Sequence, residues 1–249
     1  MAYKLKQTRK SLTIQTTIFI FVVILAIYLF LQSDFFLLQK VEVIGNQNLS
    51  KEKIVELADL PLKSDMFYLD LQRAARNLKI HPMIKDVQIY RKLPDSVVIK
   101  IMERTPLALI PDTEGFVLID EEFIVLKKVK EISKFNLPLI TGVIVPNGIT
   151  NGQSVDNEKL LLAKQVIEAT WDKAQNYFCE INLAQEDNIK MYTYEGIEVH
   201  FGDLSNFEHK YQLFKSLYNG KSVEQKLADI DYIDVSFEGL PVIKYKNGN

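Results

Sequence analysis

Cysteine is almost missing from this chain: Cys179 is the only one in 249 residues. No internal disulfide is possible, even where oxidation would allow one, and metal sites of the Cys-x2-Cys type are excluded. Histidine is scarce as well. His81, His200 and His209 are the three, and nothing resembling His-Glu-x-x-His is present. Each has an ordinary structural reading, His81 before Pro82 at a helix end, His200 on a strand and His209 on a helix. There is no Gly-x-Ser-x-Gly elbow, no P-loop and no Gly-x-Gly-x-x-Gly. The acidic groups Asp120-Glu121-Glu122 and Asp229 with Asp231 fall in turns or on polar strand faces, where solvation accounts for them. Asn48-Leu49-Ser50 is a single glycosylation sequon, at chance frequency for this length. Cys179, beside Phe178, reads as a small buried hydrophobe. These residues point to no catalytic group, no metal site, no cofactor and no small-molecule substrate. Low-complexity linkers, tandem repeats and a second long apolar run are also absent.

One long apolar run is present. Residues 12–31 carry no charge, and within 18–31 nothing is more polar than Tyr28. Twenty helical residues at about 1.5 Å each reach about 30 Å, the thickness of a bilayer's hydrocarbon core. A cleaved signal would want small residues at its exit, whereas Phe30-Leu31-Gln32-Ser33-Asp34-Phe35 follows, so the run reads as a retained anchor over 12–32. Lys4, Lys6, Arg9 and Lys10 precede it with no acid among them, and they set the expected topology: a cytoplasmic tail over 1–11 and the rest outside. Taking these four positive charges from the formal net charge of −2 leaves −6 on the remainder. That balance speaks against a nucleic-acid partner and against a broad electrostatic grip on anionic lipid.

After a juxtamembrane segment over 33–39, the patterning predicts two domains. Val41–Ile44 alternates as a strand and stops at Gly45-Asn46, and Ser50 caps a helix carrying Ile54, Leu57 and Ala58, which Pro61 ends. Asp70 caps a second helix with Leu71, Ala74, Ala75 and Leu78 on one stripe, closed by His81-Pro82. Ile84, Val87 and Ile89, then Val97, Ile99 and Ile101, form two strands around the turn at 92–95. Strand, helix, helix, strand, strand is an α+β layer with both helices on one face.

Glu103-Arg104-Thr105-Pro106 marks a boundary, after which the chain turns β-rich. Strands are expected over 107–110, 116–119 and 123–127, with irregular extended chain over 138–145. Asp156 opens a helix with Leu160, Ala163, Ile167 and Trp171 on one stripe. Meander strands follow over 181–183, 189–194 and 197–201, turning at Glu195-Gly196. Ser205 and Glu208 fit a capping box at the start of a helix whose stripe is Phe207, Tyr211, Phe214 and Tyr218. A closing hairpin is expected from 230–235 and 241–245 around Phe237-Glu238-Gly239. If the last strand lies at the sheet edge, its outer backbone groups form a template for a partner strand. The residues alone leave open whether it is an edge or a covered strand.

The run Val41-Glu42-Val43-Ile44-Gly45-Asn46, the Ser50-capped helix and Met66-Phe67-Tyr68-Leu69-Asp70 resemble the start of a POTRA domain. Pro82-Met83-Ile84-Lys85-Asp86-Val87, Arg91-Lys92-Leu93-Pro94-Asp95 and Glu103-Arg104-Thr105-Pro106, behind a basic tail and one span, are similar to the bacterial cell-division proteins FtsQ and DivIB. Leu118-Ile119-Asp120, Leu137-Pro138-Leu139-Ile140-Thr141-Gly142 and Ile233-Asp234-Val235 agree. The resemblance implies a POTRA domain over 40–105 and an FtsQ-type β domain, mostly antiparallel with packed helices, over 106–249. It implies a non-enzymatic divisome scaffold in the cytoplasmic membrane, concentrated at the septum, that binds FtsB and FtsL homologues by strand addition. Phe237, Glu238, Gly239, Val242, Ile243, Lys244 and Tyr245 are then the partner-binding residues. Two departures stand out: Ser236 where the family often has arginine, and Glu121-Glu122 where it has glycine. The alternative is a POTRA-containing envelope protein serving outer-membrane protein assembly or secretion.

Overall fold

A computed structural model describes residues 2–171, 177–220, 223 and 226–246, with side chains from Ile14 onward. It divides into two compact units, 1–103 and 104–249.

The first unit begins with α1 (Ala2–Leu31), a helix that runs on through the basic tail as well as the apolar run. Ile14–Leu31 has a mean hydropathy of 2.6 and none of it is buried by protein, so it is long and apolar enough to cross a membrane. The side chains of Lys4, Lys6, Arg9 and Lys10 lie outside the described ones. A single 3-10 turn, Asp34–Phe36, follows.

Then come β1 (Lys40–Ile44), α2 (Lys51–Ala58), α3 (Leu71–Lys79), β2 (Ile84–Lys92) and β3 (Ser96–Glu103), in the predicted order. The strands pair β1-β3-β2, parallel then antiparallel. Ile54, Ala58, Ala74 and Leu78 of the helices share one buried cluster with Val41, Val87, Val97, Ile99 and Ile101, which places both helices on one face. Ser50 and Asp70 accept from the Lys53 and Arg73 amides as caps. Pro61 is not what ends α2. Asp59 turns left-handed (φ 49°) three residues after Glu56, whose carbonyl accepts its amide. Glu103 does more than mark a boundary. Its carboxylate accepts the amides of Gln47, Asn48 and Leu49 and the Asn48 side chain, all at 2.8–3.0 Å, and so pins the β1–α2 turn. Burial works against that charge, but these donors outweigh it and leave the pKa lowered.

Among the described residues, the second unit is one sheet of nine strands: β4 (Pro106–Asp112), β5 (Gly115–Asp120), β6 (Val125–Val129), β7 (Leu139–Thr141), β8 (Phe178–Asn182), β9 (Ile189–Thr193), β10 (Glu198–Gly202), β11 (Ile230–Asp234) and β12 (Val242–Tyr245). Their spatial order is β12-β11-β10-β9-β8-β7-β4-β5-β6. Two helices, α4 (Lys159–Thr170) and α5 (Phe207–Tyr218), serve as crossovers between parallel neighbours, β7 to β8 and β10 to β11. The α5 stripe Phe207, Tyr211, Phe214 and Tyr218 is buried with Leu160, Ala163 and Ile167 of α4 against Ile140, Ile181, Met191, Val199 and Ile233 of the sheet. A mixed α+β protein with one apolar N-terminal helix, a small β-α-α-β-β unit and a large sheet results.

Five expectations fail here. Residues 139–141 are a central strand bridging β4 and β8 rather than irregular chain, because three residues suffice to carry parallel pairs on both sides. Asp156 does not cap α4; the helix starts at Lys159, and Asn157 accepts its amide. The capping box does not form, since Asn206 takes the cap position with φ 50° while the Ser205 hydroxyl donates to Asp203 and Glu208 accepts from Gln212. Asp120 is not a solvated turn acid. It is 1% exposed, receives Arg104 at 2.5 Å and accepts the amides of Glu122 and Ile124. Cys179 is also only half-buried, its thiol facing the Tyr192 and Thr193 carbonyls, and burial pushes its pKa up.

Candidate partner-binding edge

Strand β12 ends the strand order, so among the described residues no strand pairs with its outer side. A terminal strand presents a row of backbone donors and acceptors with nothing of its own to bind. Its inner side is held antiparallel to β11, with Ile230 opposite Tyr245, Tyr232 opposite Lys244, Ile233 opposite Ile243 and Asp234 opposite Val242. The Lys246 amide donates to the Asp229 carbonyl at 2.8 Å and closes the far end.

Alternation along β12 puts Val242 and Lys244 on one face and Ile243 and Tyr245 on the other. Ile243 turns toward the core and packs on it, whereas Val242, Lys244 and Tyr245 are exposed. Lys244 lies 3.2 Å from the Asp231 carboxylate and over the Tyr232 ring. The Tyr232 ring stacks on His200 at 4.9 Å, and His200 in turn meets Glu198 at 2.7 Å, which pairs with Lys190 at the same distance. Burial opposes the Glu198 charge, but Lys190 and His200 outweigh it and lower its pKa, while Glu198 raises that of Lys190. A polar ladder thus runs across four neighbouring strands, β9 to the edge strand β12. The strand patterns place these residues at alternate positions, yet only the parallel docking of β11 on β10 brings His200 to Tyr232.

The hairpin turn is shaped locally. Asp234 accepts both the amide and the hydroxyl of Ser236, at 2.9 and 2.6 Å, which bends the chain out of β11. Gly202, with φ +68°, ends β10 against that bend: a Cβ there would sit 3.0 Å from that of Ser236, so only glycine fits without movement. Phe237 is half-exposed and Leu240 is 87% exposed. Between the turn and the start of α5 lies a cleft of about 280 Å³, lined by His209, Lys210, Leu213, Ser236, Phe237 and Glu238. Lys210, nearly buried, meets Asp203 at 3.0 Å, and Asp203 also accepts from Ser205. The Ser205 and Lys210 contacts lower the Asp203 pKa to about 2. All seven sequence-predicted partner residues therefore fall on one continuous stretch at the sheet's end. Leu240 and the polar ladder are additions that the sequence did not single out.

Comparison with known proteins follows the same two units. A POTRA domain of FtsQ type matches residues 36–104, and the cell division protein FtsQ/DivIB C-terminal domain matches 108–236, stopping just before the hairpin turn. The cell division protein DivIB of Clostridium tetani is 31% identical over 216 residues, covering 85% of this chain and 80% of its own. DivIB of Clostridium botulinum strain Hall is 28% identical over 242 residues, covering 96% and 93%. The cell division protein FtsQ of Syntrophotalea carbinolica is 24% identical over 231 residues, covering 87% and 76%. With a two-unit fold matched in both halves and relatives aligned along most of their length, this chain belongs to the FtsQ/DivIB family of cell division proteins.

Proposed function

We propose that this protein is a non-enzymatic scaffold of the divisome that links other division proteins at the septum by adding a partner strand to β12. The observation that carries the reading is the terminal position of β12 in the nine-strand order. Main-chain pairing along Val242–Tyr245 supplies affinity, and the exposed Val242, Lys244 and Tyr245, with Phe237, Glu238 and Gly239 in the turn, supply specificity. The partners are FtsB and FtsL homologues. Residues 12–32 cross the cytoplasmic membrane once, Lys4, Lys6, Arg9 and Lys10 hold the tail over 1–11 inside, and a juxtamembrane segment over 33–39, a POTRA domain over 40–105 and a β domain over 106–249 lie outside.

The test is capture of purified FtsB and FtsL homologues by the full chain and by the Ile243→Pro variant. Proline removes a backbone donor and restricts the strand; a lost main-chain bond of about 1.4 kcal/mol corresponds to about tenfold weaker capture. Circular dichroism melts establish that the variant is folded. Undiminished capture by a folded Ile243→Pro protein would overturn strand addition. Depletion in cells tests the role itself: septum-free filaments support it, and normal septation counts against it.

A further inference from the structure

The strand and loops that follow α1 carry a second surface. Residues 36–38 pair with the loop over 63–66: the Met66 amide donates to the Phe36 carbonyl at 2.9 Å, Leu38 to Ser64 at 2.8 Å, and Lys63 back to Leu38 at 2.8 Å. One residue on, the Gln39 amide donates to the Asp95 carbonyl at 2.8 Å, tying in the β2–β3 turn. Two loops are therefore held within about eight residues of the end of α1.

These loops expose apolar side chains. Tyr68 is 83% exposed and Leu62 59%, with Leu93 and Phe67 also open to solvent. A row of rings joins them to the span. Phe30, inside α1, meets Phe36 edge-on at 5.4 Å, Phe35 meets Phe36 at 5.2 Å, and Phe36 meets Phe67 at 5.4 Å. The surface is thus continuous with a helix none of whose apolar window is covered by protein. Aromatic rings with a polar tip, beside a lysine such as Lys63, are the side chains that settle at the level of lipid headgroups.

We propose that this rim of the POTRA unit, Leu62, Phe67, Tyr68 and Leu93, is seated in the interfacial layer of the bilayer that α1 crosses. The proposal rests on the single-span reading. Its occupant is lipid, because the rim continues the lipid-facing span through a row of ring contacts, Phe30 to Phe36 to Phe67. Since the exported part carries net negative charge, the attraction is apolar and aromatic, and zwitterionic lipid is sufficient.

The test places tryptophan at Tyr68 in the full chain, with Trp171→Phe removing the native indole, in phosphatidylcholine vesicles containing a lipid brominated near the top of its acyl chains. Met102→Trp, exposed toward the other end of β3, is the reference. Strand β3 starts beside the tied turn, and six strand residues put Met102 about 20 Å farther along. Quenching about threefold stronger at position 68 than at 102, with blue-shifted emission, supports an interfacial seat. If Trp171→Phe fails to fold, Tyr68→Cys labelled with bimane in a Cys179→Ser chain gives the same readout. Vesicle flotation separates the two ideas. A chain that floats but is quenched equally at both positions overturns the seat alone; a chain that does not float overturns the span and the seat together.

Discussion

The nine-stranded sheet has two ends, and they are built differently. At the β6 end the chain covers itself. Gly152 donates to the Val125 carbonyl at 2.7 Å, Val125 to Gln153 at 2.8 Å and Val155 to Phe123 at 2.8 Å, so the segment over 152–155 occupies the start of that edge. What continues beyond carries Lys127, Lys128 and Lys130, and lysines on an edge oppose a second strand. At the β12 end the exposed positions are Val242, Lys244 and Tyr245, with Leu240 just before them. One sheet therefore ends in a partly covered, lysine-bearing strand on one side and, on the other, in a strand that exposes Val242, Lys244 and Tyr245. On the proposed strand-addition reading, edge chemistry, rather than the presence of an edge, directs a partner.

The largest effect is expected from breaking the covered end. Asp120→Ala strips Arg104 of a buried partner and leaves the amides of Glu122 and Ile124, which lead into β6, without their acceptor. A loss of about 3 kcal/mol is expected, read as a fall in Tm of roughly 10 °C for a unit of this size. A Tm within 2 °C or so of wild type would mean the carboxylate is not holding that edge.

Making the open end resemble the closed one is the next step. Val242→Lys with Tyr245→Lys changes two exposed side chains and leaves Ile243 on the core, so the melt should stay put. Capture of the FtsB and FtsL homologues should weaken about tenfold, the equivalent of about 1.4 kcal/mol. The reverse exchange is gentler. Lys127→Val with Lys130→Val removes the charge guard from β6, and sedimentation velocity should reveal concentration-dependent self-association, with capture at β12 unchanged.

The smallest effect is a pH dependence next to the open edge. Asp203 is depressed in the folded chain to about 2, first through Ser205 and then through Lys210. Its contribution is therefore full above the ordinary carboxylate pKa near 4 and is lost as pH falls from there through about 2. Melts between pH 5 and 2 should lose part of their acid slope in Asp203→Asn, and an unchanged slope would assign it to other carboxylates.

Most of the fold was legible because its elements obey local rules. Ser50 and Asp70 sit where caps belong, and Ile54 with Ala58 and Ala74 with Leu78 keep helical spacing. The alternation of β2 and β3 around the 92–95 turn likewise needs no distant information. The failures share one cause. Ser205 and Glu208 satisfy a local capping pattern, but Asp203 competes for the hydroxyl once Lys210 is folded beside it. Leu139–Thr141 is too short to announce itself and becomes a strand because β4 and β8 flank it. Asp120 looked like a turn acid until Arg104, sixteen residues earlier, came back across the unit.

The candidate site divides in the same way. That 230–245 forms a hairpin follows from alternation around Phe237-Glu238-Gly239, and that 14–31 can cross a bilayer follows from length and hydropathy, since both are properties of a contiguous stretch. Which end of the sheet β12 occupies is not such a property. It depends on α5 carrying β11 over to lie parallel to β10, on β12 then turning outward, and on 152–155 returning to cover the opposite edge. Pairing between segments distant in the chain is decided by how apolar faces pack together, so only the tertiary structure could make the last strand an edge.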